Sequence, residues 1–115
     1  MKKSDIRIAL VGAGGIGKRW ANAIQKTKSV ILSVICDKDE GKARGIADLF
    51  KQCSVTDDWK KAAASQNVDA VIVALPHALL APVSQGFLKN KKHVLCEKPG
   101  GIMPEEIAGN IMLAK

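Results

Sequence analysis

Six residues near the amino terminus, Gly12-Ala13-Gly14-Gly15-Ile16-Gly17, fall in the pattern GxGxxG between an apolar run and an amphipathic one. Glycines at that spacing suit the close approach of a backbone to a pyrophosphate. Gly12 is placed to make the tight turn, Gly14 to admit phosphates against the backbone, and Gly17 to let helix and strand pack closely. Ala13, Gly15 and Ile16 complete the candidate binding turn. The helix start adds free N–H groups and about half a positive charge, both suited to an anion. Asp37 stands 20 residues after Gly17, at the end of the next apolar run. A carboxylate there accepts hydrogen bonds from ribose hydroxyls and repels a 2′-phosphate, which favours NAD over NADP. Lys38, Lys42 and Arg44 lie just beyond and can pair with such a phosphate, so NADP stays open.

These residues need a frame to bring them together. Ile6-Arg7-Ile8-Ala9-Leu10-Val11 reads as a strand ending at Gly12, and Val30 to Cys36 as a second ending at Asp37. From Ile16 onward, Ile16, Trp20, Ala23, Ile24 and Thr27 recur at helical spacing. Ala43, Ile46, Ala47 and Phe50 mark a second helix, weakened at Gly41 and Gly45 by about 1 kcal/mol each. A short strand near Cys53–Val55 and a helix around Asp57–Ala64 with Trp59 follow. Ala70 to Leu75 is a continuously apolar strand stopped by Pro76. The next helix places Leu80, Val83 and Phe87 on one side and closes near Asn90, a residue suited to the left-handed position. His93 to Cys96 is strand five, and a last helix opens after Pro104. Strands apolar on both faces, alternating with amphipathic helices, predict an α/β fold. Its sheet is parallel and doubly wound (a Rossmann fold), with strand order 3-2-1-4-5.

Composition narrows the function classes. With 47% hydrophobic residues in 115, the chain is one domain able to bury a core, and no apolar run reaches membrane-spanning length. The opening MKKSDIRIALVGAGG is a poor signal peptide, because Asp5 and Arg7 interrupt it, so a cytoplasmic protein is expected. Cys36, Cys53 and Cys96 form no CxxC pair and read as reduced, structural thiols with no metal site. The net charge of +7 comes from scattered lysines with few aromatics among them. That pattern suits a solvated surface rather than a nucleic-acid partner.

In a doubly wound sheet, ligands sit outside the carboxyl ends of the strands, where the order reverses between strands one and four. Leu75-Pro76-His77 and Glu97-Lys98-Pro99 stand at two such ends. With VDAVIVALP and KKHVLCEKP added to the glycine loop and Asp37, the whole chain resembles the N-terminal domain of one family. That family is the glucose–fructose oxidoreductase, inositol dehydrogenase and rhizopine-catabolism group (Gfo/Idh/MocA). The EKP phrase is the specific part of the likeness.

The resemblance implies an NAD(P)-dependent oxidoreductase acting on a CH–OH group of a sugar or cyclitol. It assigns Lys98 as the active-site lysine, Glu97 as the acid beside it, and Pro99 as the residue that fixes their turn. Alcohol oxidation needs a hydride path to the nicotinamide and a group to take or relay the hydroxyl proton. The expected cofactor-binding set is Gly12, Ala13, Gly14, Gly15, Ile16, Gly17, Asp37, Lys38, Leu75, Pro76, His77, Glu97 and Lys98. His77 replaces the family's usual asparagine and fits either a cofactor contact or an ordinary turn residue; His93 reads as structural. Gly100-Gly101 replaces apolar residues and a side-chain cap.

Members of the family carry a second, mostly sheet domain with a catalytic histidine, and nothing here corresponds to it. The chain is therefore expected to be a fragment of a larger, homo-oligomeric enzyme, binding dinucleotide without turnover. A non-catalytic dinucleotide-binding regulator is the competing reading. A methyltransferase shares the glycines and the acid, but the xxG ending and the EKP phrase argue against it.

Overall fold

Apolar strands flanked by amphipathic helices must be covered on both faces, and the arrangement of the chain follows from that requirement. The computed structural model describes residues 5–75 and 77–96. In chain order these form β1 (Ile6–Val11), α1 (Gly15–Lys26), β2 (Val30–Cys36), α2 (Glu40–Ala47) and β3 (Ser54–Thr56). They continue with α3 (Trp59–Ala64), β4 (Ala70–Val73), α4 (His77–Lys89) and β5 (His93–Cys96). The strands form one sheet in the order β3-β2-β1-β4-β5, and every pairing is parallel. The expected topology is the one observed. The helix predicted after Pro104 lies outside the described residues, as do Pro76, Glu97, Lys98 and Pro99.

Two apolar layers sandwich the sheet. On one face Ala9, Val11, Val34, Cys36, Val71 and Val73 pack against Ala62 and Ala63 of α3 and Leu80, Val83 and Phe87 of α4. On the other, Leu10, Leu32, Ile35 and Ile72 pack against Ala21 and Ile24 of α1 and Ala43 and Ile46 of α2. Among the described residues no helix is long and apolar enough to cross a membrane.

The register of β1 on β2 slips once: Ile8 pairs with Leu32, but Ala9 pairs with Val34. Ser33 is the extra residue, and its hydroxyl donates to the Asn67 carbonyl at 2.8 Å. This bulge places Leu32 and Ile35 on one face of the sheet, and Val34 and Cys36 on the other, which strict alternation could not do.

Two local expectations shift. Of the stripe Ile16, Trp20, Ala23, Ile24, Thr27 only Ile24 is buried, with Trp20 packed against the core at its edge; the rest of the buried face of α1 is Gly17 and Ala21. Ile16 is half exposed and Ala23 exposed. Gly17 sits there because a Cβ at that position would run into the Gly12 carbonyl. The left-handed residue after α4 is Lys91, with φ 63°, and not Asn90. Asn90 instead turns its amide Nδ2 back to the Gly86 carbonyl at 2.8 Å.

At the strand starts, Asp69 Oδ1 accepts from Arg7 Nη2 at 2.9 Å, and Oδ2 accepts from the Arg7 backbone N–H at 2.9 Å and Nε at 3.1 Å. Those bonds, the side-chain ones foremost, hold the Asp69 carboxyl below the usual aspartate range. A depressed folded-state value means stability that is present above about pH 4 and lost as pH falls through the folded value. Thermal melts from pH 7 to 2 should show a steep acid limb that Asp69→Asn flattens; an identical limb in the variant would remove this pair as its source. Separately, Ser84 is fully buried in α4, and its hydroxyl has no hydrogen-bond partner among the described residues. Ser84→Ala removes a desolvated orphan, so it should stabilise the chain by about 1 kcal/mol. Calorimetry should find the melting point raised by about 4 °C.

Candidate functional site

Parallel strands bring all their carboxyl ends to one rim. Thr56, Cys36, Val11, Val73 and Cys96 lie in one row across the sheet, each in register with its neighbour. The residues next in sequence after the first four are therefore delivered to the same edge: Asp57, Asp37, Gly12 and Ala74. Gly12 and Ala74 are locked there by backbone bonds, Gly12 N–H to the Cys36 carbonyl and Ala74 N–H to the Val11 carbonyl, both 2.8 Å.

At Gly12 the backbone turns with φ +111°, and a Cβ would sit 2.1 Å from the Ala74 carbonyl oxygen. At Gly17 a Cβ would sit 2.0 Å from the Gly12 carbonyl oxygen. Neither position can hold a side chain while β1, β4 and α1 stay where they are. Gly14 and Gly15 differ in kind, because a Cβ on either would meet nothing within 4 Å. That space lies over the N-terminus of α1, whose cap residue Gly14 offers no side-chain hydrogen bond. The first-turn amides of a 12-residue helix are thus left to whatever approaches from outside.

Asp37 is tied to the same turn. Its Oδ2 accepts from the Ala13 N–H at 2.7 Å, and its Oδ1 from the Asp39 N–H at 2.8 Å. Each oxygen keeps a further lone pair, so the carboxylate can still accept from ligand hydroxyls while being aimed by two amides. Beside it opens a cavity of about 290 Å³ with apolar walls from Val11, Cys36, Trp59, Leu75, Leu79 and Val83; Asp37, Lys38 and Asp57 also line it. The Trp59 ring packs against Phe87 with centroids 6.3 Å apart. Burial first, then the neighbouring carboxylates of Asp37, Asp58 and Asp57, push the Cys36 thiol up to about 12. Cys36 is therefore an apolar wall and no nucleophile.

A larger depression of about 900 Å³ lies at the opposite end of the strands, along Arg7, Val30, Ser33 and the segment from Leu49 to Ser54. It shares no residue with the glycine turn. Among the described residues no group of three His, Cys, Asp or Glu side chains is placed to hold a metal ion.

Of the sequence-predicted site residues, the structure brings Gly12, Ala13, Gly14, Gly15, Ile16, Gly17, Asp37, Lys38 and Leu75 to this rim. His77 opens α4 there. Pro76, Glu97 and Lys98 fall outside the described residues. Sequence reasoning missed Asp57 and the wall formed by Trp59, Leu79 and Val83. The signal for Asp57 was present, since it follows β3 as Asp37 follows β2.

Gly12→Ala must displace either Ala74 or the turn, on top of a left-handed strain, and should cost about 3 kcal/mol or more. Denaturant unfolding should show a large loss of stability in Gly12→Ala but little in Gly15→Ala, whose Cβ has room. Equal losses would mean that the turn is looser than described.

Comparison with known proteins places this geometry among relatives. The chain is 35% identical over 95 residues to inositol 2-dehydrogenase of Rubrobacter xylanophilus, covering 82% of this chain and 27% of that protein. It is 30% identical over 110 residues to scyllo-inositol 2-dehydrogenase (NADP(+)) of Bacillus subtilis, covering 96% of this chain and 34% of that protein. The crystal structure of GenD2 from gentamicin A biosynthesis, in complex with NAD, superposes with a TM-score of 0.90 at 27% identity. It covers 96% of this chain and 32% of that one. The chain thus spans about a third of the length of the relatives it matches. Residues 6–115 match the family model described as an oxidoreductase family with an NAD-binding Rossmann fold, and the chain belongs to that family, GFO_IDH_MocA.

Proposed function

We propose that the chain is the nucleotide-binding domain, residues 1–115, of a two-domain NAD(P)-dependent oxidoreductase acting on a CH–OH group of a cyclitol or sugar. The observation that carries this reading is the shared rim. A glycine turn with open space over a helix start, a carboxylate aimed by two amides and an apolar cavity stand side by side. The inositol dehydrogenases among the relatives point to the substrate class.

In this reading Gly12, Ala13, Gly14, Gly15, Ile16 and Gly17 hold the pyrophosphate, with the α1 amides facing its charge. Asp37 accepts from the adenosine ribose hydroxyls, and its two amide bonds fix the carboxylate before the ligand arrives. Leu75, Pro76 and His77 flank the cofactor at the end of β4. Lys38 at the cavity edge gives a 2′-phosphate one favourable partner, and the NADP-linked relative gives NADP a place beside NAD as a second reading. A bound nicotinamide would supply a two-electron hydride acceptor.

Glu97 follows Cys96, which pairs with Val73 and through it with Val11. The register supports a position for Glu97 and Lys98 on this same edge. There Lys98 takes or relays the proton of the substrate hydroxyl, and Glu97 orients it. Substrate contacts come from the second domain. The full-length protein is a cytoplasmic homo-oligomer in this reading, and the 115 residues alone bind dinucleotide without turnover.

Calorimetric titration of the 115-residue chain should show binding of NADH, tighter than NADPH; no heat with either at high protein concentration defeats the reading. In the two-domain protein, Lys98→Met should lower kcat by about 100-fold or more, far more than it changes cofactor affinity. Turnover at the parental rate would remove Lys98 from the mechanism.

A further inference from the structure

The rim carries a second carboxylate that the assignment of the cofactor turn leaves unused. Asp57 follows Thr56 as Asp37 follows Cys36, and Thr56 and Cys36 are register partners on adjacent parallel strands. The Asp37 N–H donates to the Thr56 carbonyl at 3.2 Å, so the two exits are joined by backbone as well. Both residues line the 290 Å³ cavity, and both carboxylates act on Cys36 in its wall. Their neighbours are committed elsewhere: Asp58 Oδ1 caps α3 by accepting from the Lys60 N–H at 2.9 Å, and Asp39 Oδ1 caps α2 by accepting from the Lys42 N–H at 3.2 Å. Asp57 is exposed and has neither hydrogen bond nor ion pair among the described residues. Such a side chain makes no structural contribution there, yet it faces the cavity next to the ribose-accepting Asp37.

We infer that Asp57 is a second specificity-determining carboxylate at the adenosine end of the cleft, acting with Asp37 to disfavour a dinucleotide that carries a 2′-phosphate. The inference rests on the cofactor reading above and sharpens it. A 2′-phosphate brings between one and two further negative charges to the ribose edge, where Asp37 already stands. The cavity lining contains one lysine, Lys38, and two carboxylate residues, Asp37 and Asp57. Opposition from Asp57 is through-space and partly screened, because the group is exposed. Its effect is therefore a modest factor that weakens with salt, unlike the loss of a direct hydrogen bond. Lys42 and Arg44, which follow on α2, do not line the cavity.

The test titrates the 115-residue chain and its Asp57→Asn variant with NADH and with NADPH, at low and at high ionic strength. Asp57→Asn should bind NADPH about fivefold more tightly at low salt, change NADH affinity less than about twofold, and lose most of the gain in 0.5 M salt. Asp57→Lys should carry the same change further, and the melting point of either variant should match the parent. If the parent binds NADH and the NADH/NADPH ratio is the same in all three chains, Asp57 has no part in selection and this inference alone falls. If Asp57→Asn weakens both dinucleotides equally, the residue touches what they share, and a 2′-phosphate filter is overturned. If the parent binds neither, the cofactor reading itself fails and takes this one with it.

Discussion

Everything at the rim depends on an absence of side chains at one crossing point. The carbonyl of Ala74 presses against Gly12 from one side, and Gly17 rests on the Gly12 carbonyl from the other. Three segments, the ends of β1 and β4 and the first turn of α1, meet there with no room for a methyl group. That contact sets how near α1 comes to the sheet, and so where its unpaired amides point. It also explains why Gly17, and not the neighbouring Ile16, opens the buried face of α1. Packing at the crossing overrides the hydrophobic periodicity of the helix.

Electrostatics at this edge run against the rest of the molecule. The chain carries +7, yet Asp37, Asp39, Asp57 and Asp58 all follow the ends of β2 and β3. Two of them close helix ends, and Asp37 braces the glycine turn through Ala13. The helix start of α1 sits one strand over, with a field of opposite sign. An anion approaching the rim therefore meets attraction over the turn and repulsion beside it.

Much of this was legible in the sequence because its signals were local and redundant. Three of the strands ended at a glycine, an aspartate or a proline, and the helices between them left only a parallel order with a reversal next to β1. The acid after β2 could be found because it stands at a fixed interval from the glycines. What escaped needed pairing information. Asp57 is unremarkable in a run of polar residues until the register of β3 on β2 sets Thr56 beside Cys36. Trp59 looked like a helix residue and became a cavity wall only when α3 met α4. Helix ends drifted by a residue for a similar reason. Asn90 found a carbonyl for its amide, which left Lys91 to take the positive φ.

The bulge at Ser33 has an effect well away from where it lies. It shifts the phase of β2 by one residue ahead of Val34, Ile35 and Cys36. Asp37 therefore leaves the strand half a pleat away from the direction an uninterrupted β2 would have given it. The extra serine works as an aiming offset: a hydroxyl midway along the strand, held by the Asn67 carbonyl, decides which way a carboxylate four residues later will look.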